Sequence, residues 1–346
     1  MTLTPCDSVQ DAPSDPFDER SGPVFGVDMQ IMGGHFWFKS ASQALLRLVE
    51  AAYAGLPRQR LPLTATEFRI ELRLVQRRAS SRTVEPPPVQ MQSGAGLICG
   101  IMDASNYVVL DPARRQALVV ASEDMLGCPY HLRYELIEFA VFTLATRGLG
   151  LVPLHGACVG RAGRGVLLLG VSGSGKSTLA LHSLLHGLDF LAEDAVFVQP
   201  ERMLATGVAN YLHLQADALR FVDDAQTRHW ISRAPVICRR SGVEKFEVDL
   251  RLGHGRLASE PLALAGAVFV SSQLADNPAM LLKPVPADEI AARLRADQPY
   301  ASVQPGWDHF EQQLIAQGVY ELRRGRHPRA SVEALRQLLP VVGAHA

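Results

Sequence analysis

Apolar and polar positions alternate along Phe68-Arg-Ile-Glu-Leu-Arg-Leu-Val75, the period-two pattern of a strand with one buried face. Ser42 to Ala54 instead carries Ala44, Leu45, Leu48, Val49 and Ala52 at helical spacing. Phe25 to Phe38 has the aromatic and β-branched content of strand. Tyr107 to Leu110 and Ala117 to Ala121 read as two more strands, turned at Asp111-Pro-Ala-Arg-Arg-Gln116. Arg77 to Pro88 is basic, then Ser-rich, then triple-proline, and predicts a loop; Arg77, Arg78 and Arg82 offer a docking patch or simply solvated charge. From Tyr130 to Arg147, Leu132, Leu136, Phe139, Ala140 and Thr143 share one face of a long helix that Gly148 and Gly150 end. Residues 24–150 therefore predict a smaller N-terminal α/β domain.

The pattern changes after Leu151. His155-Gly-Ala-Cys-Val159 and Gly165-Val-Leu-Leu-Leu169 are apolar runs, and Gly160-Arg-Ala-Gly163-Arg between them predicts a hairpin turn. Thr178 to Leu185 reads as helix. Phe190 to Val198 reads as a strand interrupted by Glu193-Asp194, and Ala267 to Val270 as another strand. Helices are predicted at Ala287 to Ala296, Trp307 to Ala316 and Ala330 to Leu339, with a short strand at Val319 to Arg323. Residues 151–346 thus predict a second, larger domain.

Composition narrows the class. A chain of 346 residues with 47% hydrophobic and 20% charged residues suits two soluble domains with real cores. A net charge of −1 argues against nucleic acid or an anionic membrane as a generic partner. No apolar run approaches the roughly 18 residues of a membrane helix. Cys6, Cys99, Cys128, Cys158 and Cys238 are scattered, odd in number and without a C-x-x-C pair, which fits a reducing cytoplasm. Met1 to Pro23, with five acidic residues and four prolines, predicts a disordered tail.

The sharpest chemistry lies at Gly170-Val-Ser-Gly-Ser-Gly-Lys-Ser-Thr178, a complete G-x-x-x-x-G-K-[ST] phosphate-binding loop with a strand before it and a helix after it. Gly170, Gly173 and Gly175 let backbone N–H groups approach a polyphosphate, with Ser172 and Ser174 between them. Lys176 reaches β- and γ-phosphates, Ser177 ligates Mg2+, and Thr178 opens the helix. ATP and Mg2+ are the expected ligands. The acidic pair Glu193-Asp194 supplies what phosphoryl transfer asks for, a carboxylate for the metal and one for the acceptor. Neighbours on an extended strand face opposite ways, so a bend is expected there. Asn-Lys-x-Asp and Leu-Ser-Gly-Gly-Gln are both absent, which argues against a GTPase and a transporter ATPase.

From His155 to Val198 the chain resembles the catalytic domain of HPr kinase/phosphorylase and its relatives. The likeness rests on His155-Gly156, the hairpin, Gly170 to Ser177, Gly187 and Leu191-Ala-Glu-Asp194, without gaps over about 44 residues. It implies a mixed sheet with a hairpin before the phosphate loop, a core shared with phosphoenolpyruvate carboxykinase. It implies that Gly170 to Lys176 bind ATP phosphates. It implies further that Ser177 and Asp194 bind the metal, that Glu193 and Asp194 activate a substrate hydroxyl, and that His155 orients a carboxylate. Which of Glu193 and Asp194 is base stays open.

The family's Glu-Ile-Arg-Gly-Leu-Gly segment is replaced by Gly207-Val-Ala-Asn-Tyr-Leu-His-Leu214, which points away from HPr as substrate. The layout is similar to HPr-kinase-like enzymes of bacterial peptide modification, including lasso-peptide kinases. A Ser/Thr-bearing protein or peptide is the acceptor this implies, and a homo-oligomer the assembly. Arg239-Arg-Ser-Gly-Val-Glu-Lys-Phe246 predicts a cationic hairpin in which Lys245 is the residue expected to meet a triphosphate. A nucleotide-gated binding module and a small-molecule kinase remain alternatives to a peptide kinase.

Overall fold

The computed structural model describes residues 23–62, 66–76, 85–253 and 255–340. Met1 to Gly22 of the predicted tail and the cluster Arg77, Arg78 and Arg82 lie outside them. The protein is α/β, with mixed sheets and several helices. It divides into two compact units, Met1–Ala54 with Leu63–Leu149, and Gly55–Pro62 with Gly150–Ala346.

The first unit runs β1 (Phe25–Ile31), β2 (Gly34–Ser40), α1 (Gln43–Tyr53), β3 (Glu67–Val75), β4 (Gln90–Gly94), β5 (Leu97–Asp103), β6 (Asn106–Asp111) and β7 (Gln116–Ser122). α2 (Pro129–His131) then passes through a widened turn, Leu132–Ile137, into α3 (Glu138–Leu149). Its seven strands form one sheet in the order β1-β2-β3-β7-β6-β5-β4. β3 lies parallel to β2 and β7, and α1 makes the crossover that a parallel β2–β3 pair needs.

Three details depart from the sequence expectation. Phe25 to Phe38 is a hairpin, turned at Met32 and Gly33, both at positive φ (50° and 89°). β4 is exposed at every position, so no alternation betrays it. The long helix widens at 132–137, where a π-type turn lets residues five apart meet: Arg133 Nε lies 3.5 Å from Glu138 Oε1, both side chains buried.

The second unit runs β8 (Val152–His155), β9 (Ala157–Arg161), β10 (Arg164–Leu169), α4 (Lys176–Leu185), β11 (Asp189–Ala192), β12 (Ala195–Gln199), β13 (Leu204–Gly207) and β14 (Tyr211–Leu214). It continues with α5 (Ala225–Ser232), β15 (Val236–Cys238), β16 (Glu244–Asp249), β17 (Leu262–Leu274), β18 (Leu282–Pro284), α6 (Ala287–Asp297), α7 (Trp307–Gln317), β19 (Val319–Arg324) and α8 (Pro328–Leu338). The central nine-stranded sheet follows β11-β9-β10-β17-β13-β12-β8, with β19 and β18 added beside β17. Alternate residues of β9 and β10 enter two cores. Val159, Val166 and Leu168 pack with Leu179 and Leu184 of α4 and Leu335 of α8. Cys158, Leu167 and Leu169 pack with Leu294 of α6 and Trp307 and Phe310 of α7. Helices thus cover both faces.

Topology decides what shares an edge. β9 is antiparallel to both β10 and β11, so those two strands point the same way. Their C-terminal ends, which carry the loop after Leu169 and the turn after Ala192, emerge on one side. The expected single run from His155 to Val159 is broken at Gly156. β8 pairs with β12 and β9 with β10, and a Cβ at Gly156 would stand 2.7 Å from the Leu168 carbonyl. A separate three-stranded sheet, β14-β16-β15, carries the cationic hairpin.

The segment Gly55–Pro62 falls before the expected boundary yet groups with the second unit. Gln59 explains why. Buried, it accepts from Thr206 Oγ1 at 2.5 Å and from the Gly207 N–H at 3.3 Å, and donates to the Ala258 carbonyl at 3.3 Å. Among the described residues no helix is long and apolar enough to cross a membrane.

Candidate functional site: a glycine loop facing an acidic turn

The loop between β10 and α4 turns on Gly170, Gly173 and Gly175, at φ of 126°, 80° and 103°. A Cβ at Gly170 would lie 2.9 Å from the Val270 carbonyl, so a side chain there is excluded by space as well as by φ. Ser172 and Gly173 are exposed, and Ser174 is buried. Lys176, Ser177 and Thr178 form the first turn of α4. Lys176 is 8% exposed and its ammonium donates to the Gly170 and Val171 carbonyls. Burial lowers its pKa; Asp297, Glu193 and Asp194 oppose that. Asp297 Oδ2 also accepts from the Gly170 N–H at 3.3 Å and from Gln298 Nε2 at 2.7 Å.

The acidic pair sits in the expected bend. Asp194 has φ of 69°, a left-handed conformation that stops β11 and lets both carboxylates turn inward. Ser177 Oγ donates to Glu193 Oε1 at 2.6 Å, joining loop to turn. The other oxygen, Oε2, is buried without a hydrogen-bond partner. Burial, then the Asp194 charge, raises the Glu193 pKa. Burial pushes Asp194 the same way, but Arg239, ion-paired to Oδ2, outweighs it and holds that carboxyl well below the usual range.

The sequence pattern did not reveal His213. Its Nδ1 stands 3.8 Å from Glu193 Oε2 and from Asp194 Oδ2, and 3.3 Å from the Arg239 guanidinium. Its Nε2 lies 3.3 Å from Glu247 Oε1, across the β14–β16 register. Glu193, Asp194 and His213 each bring a ligand atom within 4.8 Å of the others.

Lys245, the cation expected to lead, lies on β16 opposite Ile237 and acts electrostatically on Lys176 and Glu193. The hairpin residue that reaches the acidic pair, at Asp194, is Arg239. Ser177, expected with Asp194 as a metal ligand, has its hydroxyl bonded to Glu193. His155 is exposed, and its charge acts on Asp194. Its backbone is held on both sides by Gln298, which accepts the His155 N–H at 2.7 Å and donates to its carbonyl at 2.8 Å. Asp297 and Gln298 close α6 onto the loop and β8, and no spacing rule connects them to either.

A glycine loop at a helix start suits an anion, and two carboxylates beside a hydroxyl suit a hard cation. The chain matches no protein-family model and no curated protein sequence.

Proposed function

We propose that the protein is an ATP- and Mg2+-dependent kinase that transfers the γ-phosphoryl group to a Ser or Thr hydroxyl of a protein or peptide. The observation that carries this reading is the Ser177–Glu193 hydrogen bond, which ties the phosphate loop to the acidic pair. The residues fit the implied groups. Open space beside Gly173 and Gly175 leaves room for phosphate oxygens, and Glu193 Oε2, buried without a hydrogen bond, can accept a cation.

Ser177 and Glu193 would hold Mg2+, which when bound neutralises phosphate charge. Loop N–H groups and Lys176 bind the β- and γ-phosphates, Lys176 leaving its own loop carbonyls to do so. Asp194, ionised beside Arg239, orients the acceptor hydroxyl and receives its proton late in transfer. His213 and Glu247 fix Arg239 and so the carboxylate. The antiparallel β9–β10 hairpin, with β10 parallel to β17, supports a core of the type shared by HPr kinase and phosphoenolpyruvate carboxykinase. The cytoplasm is the proposed setting.

A binding module gated by nucleotide is the second reading, favoured by the Arg239–Asp194 ion pair, which occupies the acceptor carboxylate. Incubation with radiolabelled ATP, Mg2+ and a Ser/Thr peptide library separates the two. The kinase gives acid-stable label on peptide, and Lys176→Ala lowers it by at least about 100-fold. Tight ATP binding without label on any hydroxyl acceptor rejects the kinase.

A further inference from the structure

Three imidazoles gather where α4 packs on α8. His182 lies in the last turn of α4, and His186, four residues on, caps the helix C-terminus. His327 precedes the first turn of α8. The His182 ring centre lies 5.4 Å from that of His327 and 6.0 Å from that of His186. Phe221 meets His182 and His327 edge-on. His182 is 2% exposed, and neither of its ring nitrogens has a hydrogen-bond partner. His327 Nε2 is likewise buried and unpartnered. Two adjacent rings with buried nitrogens that lack hydrogen-bond partners call for a ligand, because buried polar atoms are otherwise satisfied.

We propose that His182, His186 and His327 form a binding site for one divalent transition-metal ion of the zinc type. Zn–N bonds of about 2.0–2.1 Å in a tetrahedral site put imidazole centres about 5.2 Å apart. The His182–His327 and His182–His186 separations exceed that by less than about 1 Å, and the rings must turn for their nitrogens to converge on one ion. Imidazole nitrogen selects zinc, nickel or copper over magnesium, so this site is chemically distinct from the acidic pair. Burial, then His327 and His186, push the His182 pKa down to about 4, which keeps this ring in the neutral form that ligates.

The surrounding charges are balanced. Asp223 acts on His182, Glu333 on His186, and Arg329 and Arg336 oppose them at His186. Water completes the coordination. One bond is given up. His327 Nδ1 accepts the Arg329 N–H at 3.2 Å, and ligation through Nε2 moves the ring proton to Nδ1.

The test is equilibrium dialysis of untagged, EDTA-stripped protein against zinc sulfate, with folding checked by circular dichroism. His186→Ala and His327→Ser are compared with wild type and with His213→Ala; Ser keeps a capping oxygen for α8. The expected result is one zinc per wild-type chain, kept in His213→Ala. His186→Ala and His327→Ser each bind it more than about 100-fold more weakly. Zinc binding that is unchanged in both α4–α8 variants, or lost only in His213→Ala, overturns the proposal. If one variant fails to fold, the other and the zinc-induced shift of the wild-type imidazole proton resonances still decide it.

Discussion

Asp194 takes a left-handed backbone conformation that costs most side chains free energy but suits Asp and Asn. Asp194→Asn therefore keeps the bend and removes only the charge, whereas Asp194→Ala adds strain. The Asn variant is expected to bind ATP and Mg2+ as wild type does and to transfer phosphoryl at least about 100-fold more slowly. Comparing nucleotide affinity with single-turnover rate checks this. Glu193→Gln should do the reverse and weaken Mg2+-dependent nucleotide binding first, since Glu193 carries the free oxygen beside Ser177. Burial and the neighbouring Asp194 charge raise the Glu193 pKa, so its carboxylate takes up a proton at higher pH than an ordinary Glu. Binding of Mg–ATP to wild type should therefore weaken on acidification while still above about pH 4.3, the ordinary Glu value. Titration of binding against pH reads this, and the weakened binding that remains in Glu193→Gln should show no such limb.

At the scale of elements, local signals made the working edge legible and long-range ones did not. The β9–β10 hairpin, the glycine loop and the break at the acidic pair are each written in a few adjacent residues, by Gly spacing or by an interrupted apolar run. His213, Glu247, Asp297 and Gln298 come from β14, β16 and the end of α6, and reach this edge only through sheet pairing and helix packing. β4 escaped because an edge strand exposed on both faces has no pattern to show. The segment Gly55–Pro62 escaped because nothing in its sequence says which core it serves. Gln59 does: it satisfies Thr206 and Gly207, and Gly207 lies so close to Ala192 that a Cβ would meet the Ala192 Cβ at 2.4 Å. This segment thereby backs the strand that leads into the acidic turn. Gln59→Leu leaves the buried Thr206 hydroxyl and Gly207 N–H unpaired and should cost about 1–3 kcal/mol in urea unfolding. Adding Thr206→Val removes one orphan, so the double variant should recover part of that loss and no more.

For the whole molecule, the same buried imidazole that suggests a metal site sets an acid limit on stability. His182 in the fold has its pKa pushed down to about 4, by burial first and then by His327 and His186, with Asp223 opposing. In the unfolded chain an imidazole titrates near ~6.5. Between those values the unfolded state binds more protons than the folded state, so stability rises with pH across the window. The contribution is whole above about pH 6.5 and lost as pH falls toward about 4. Glu193 works against this: its raised folded-state pKa stabilises the fold as pH drops through its own titration. The two are separable by substitution. His182→Phe places an aromatic ring without a proton site among Phe221, His186 and His327. In EDTA-containing buffer, wild-type Tm should fall by several degrees between pH 7 and pH 5, and the Phe variant should lose distinctly less over the same interval. Parallel Tm–pH curves for the two proteins would show that His182 is not the group whose protonation opens the second unit.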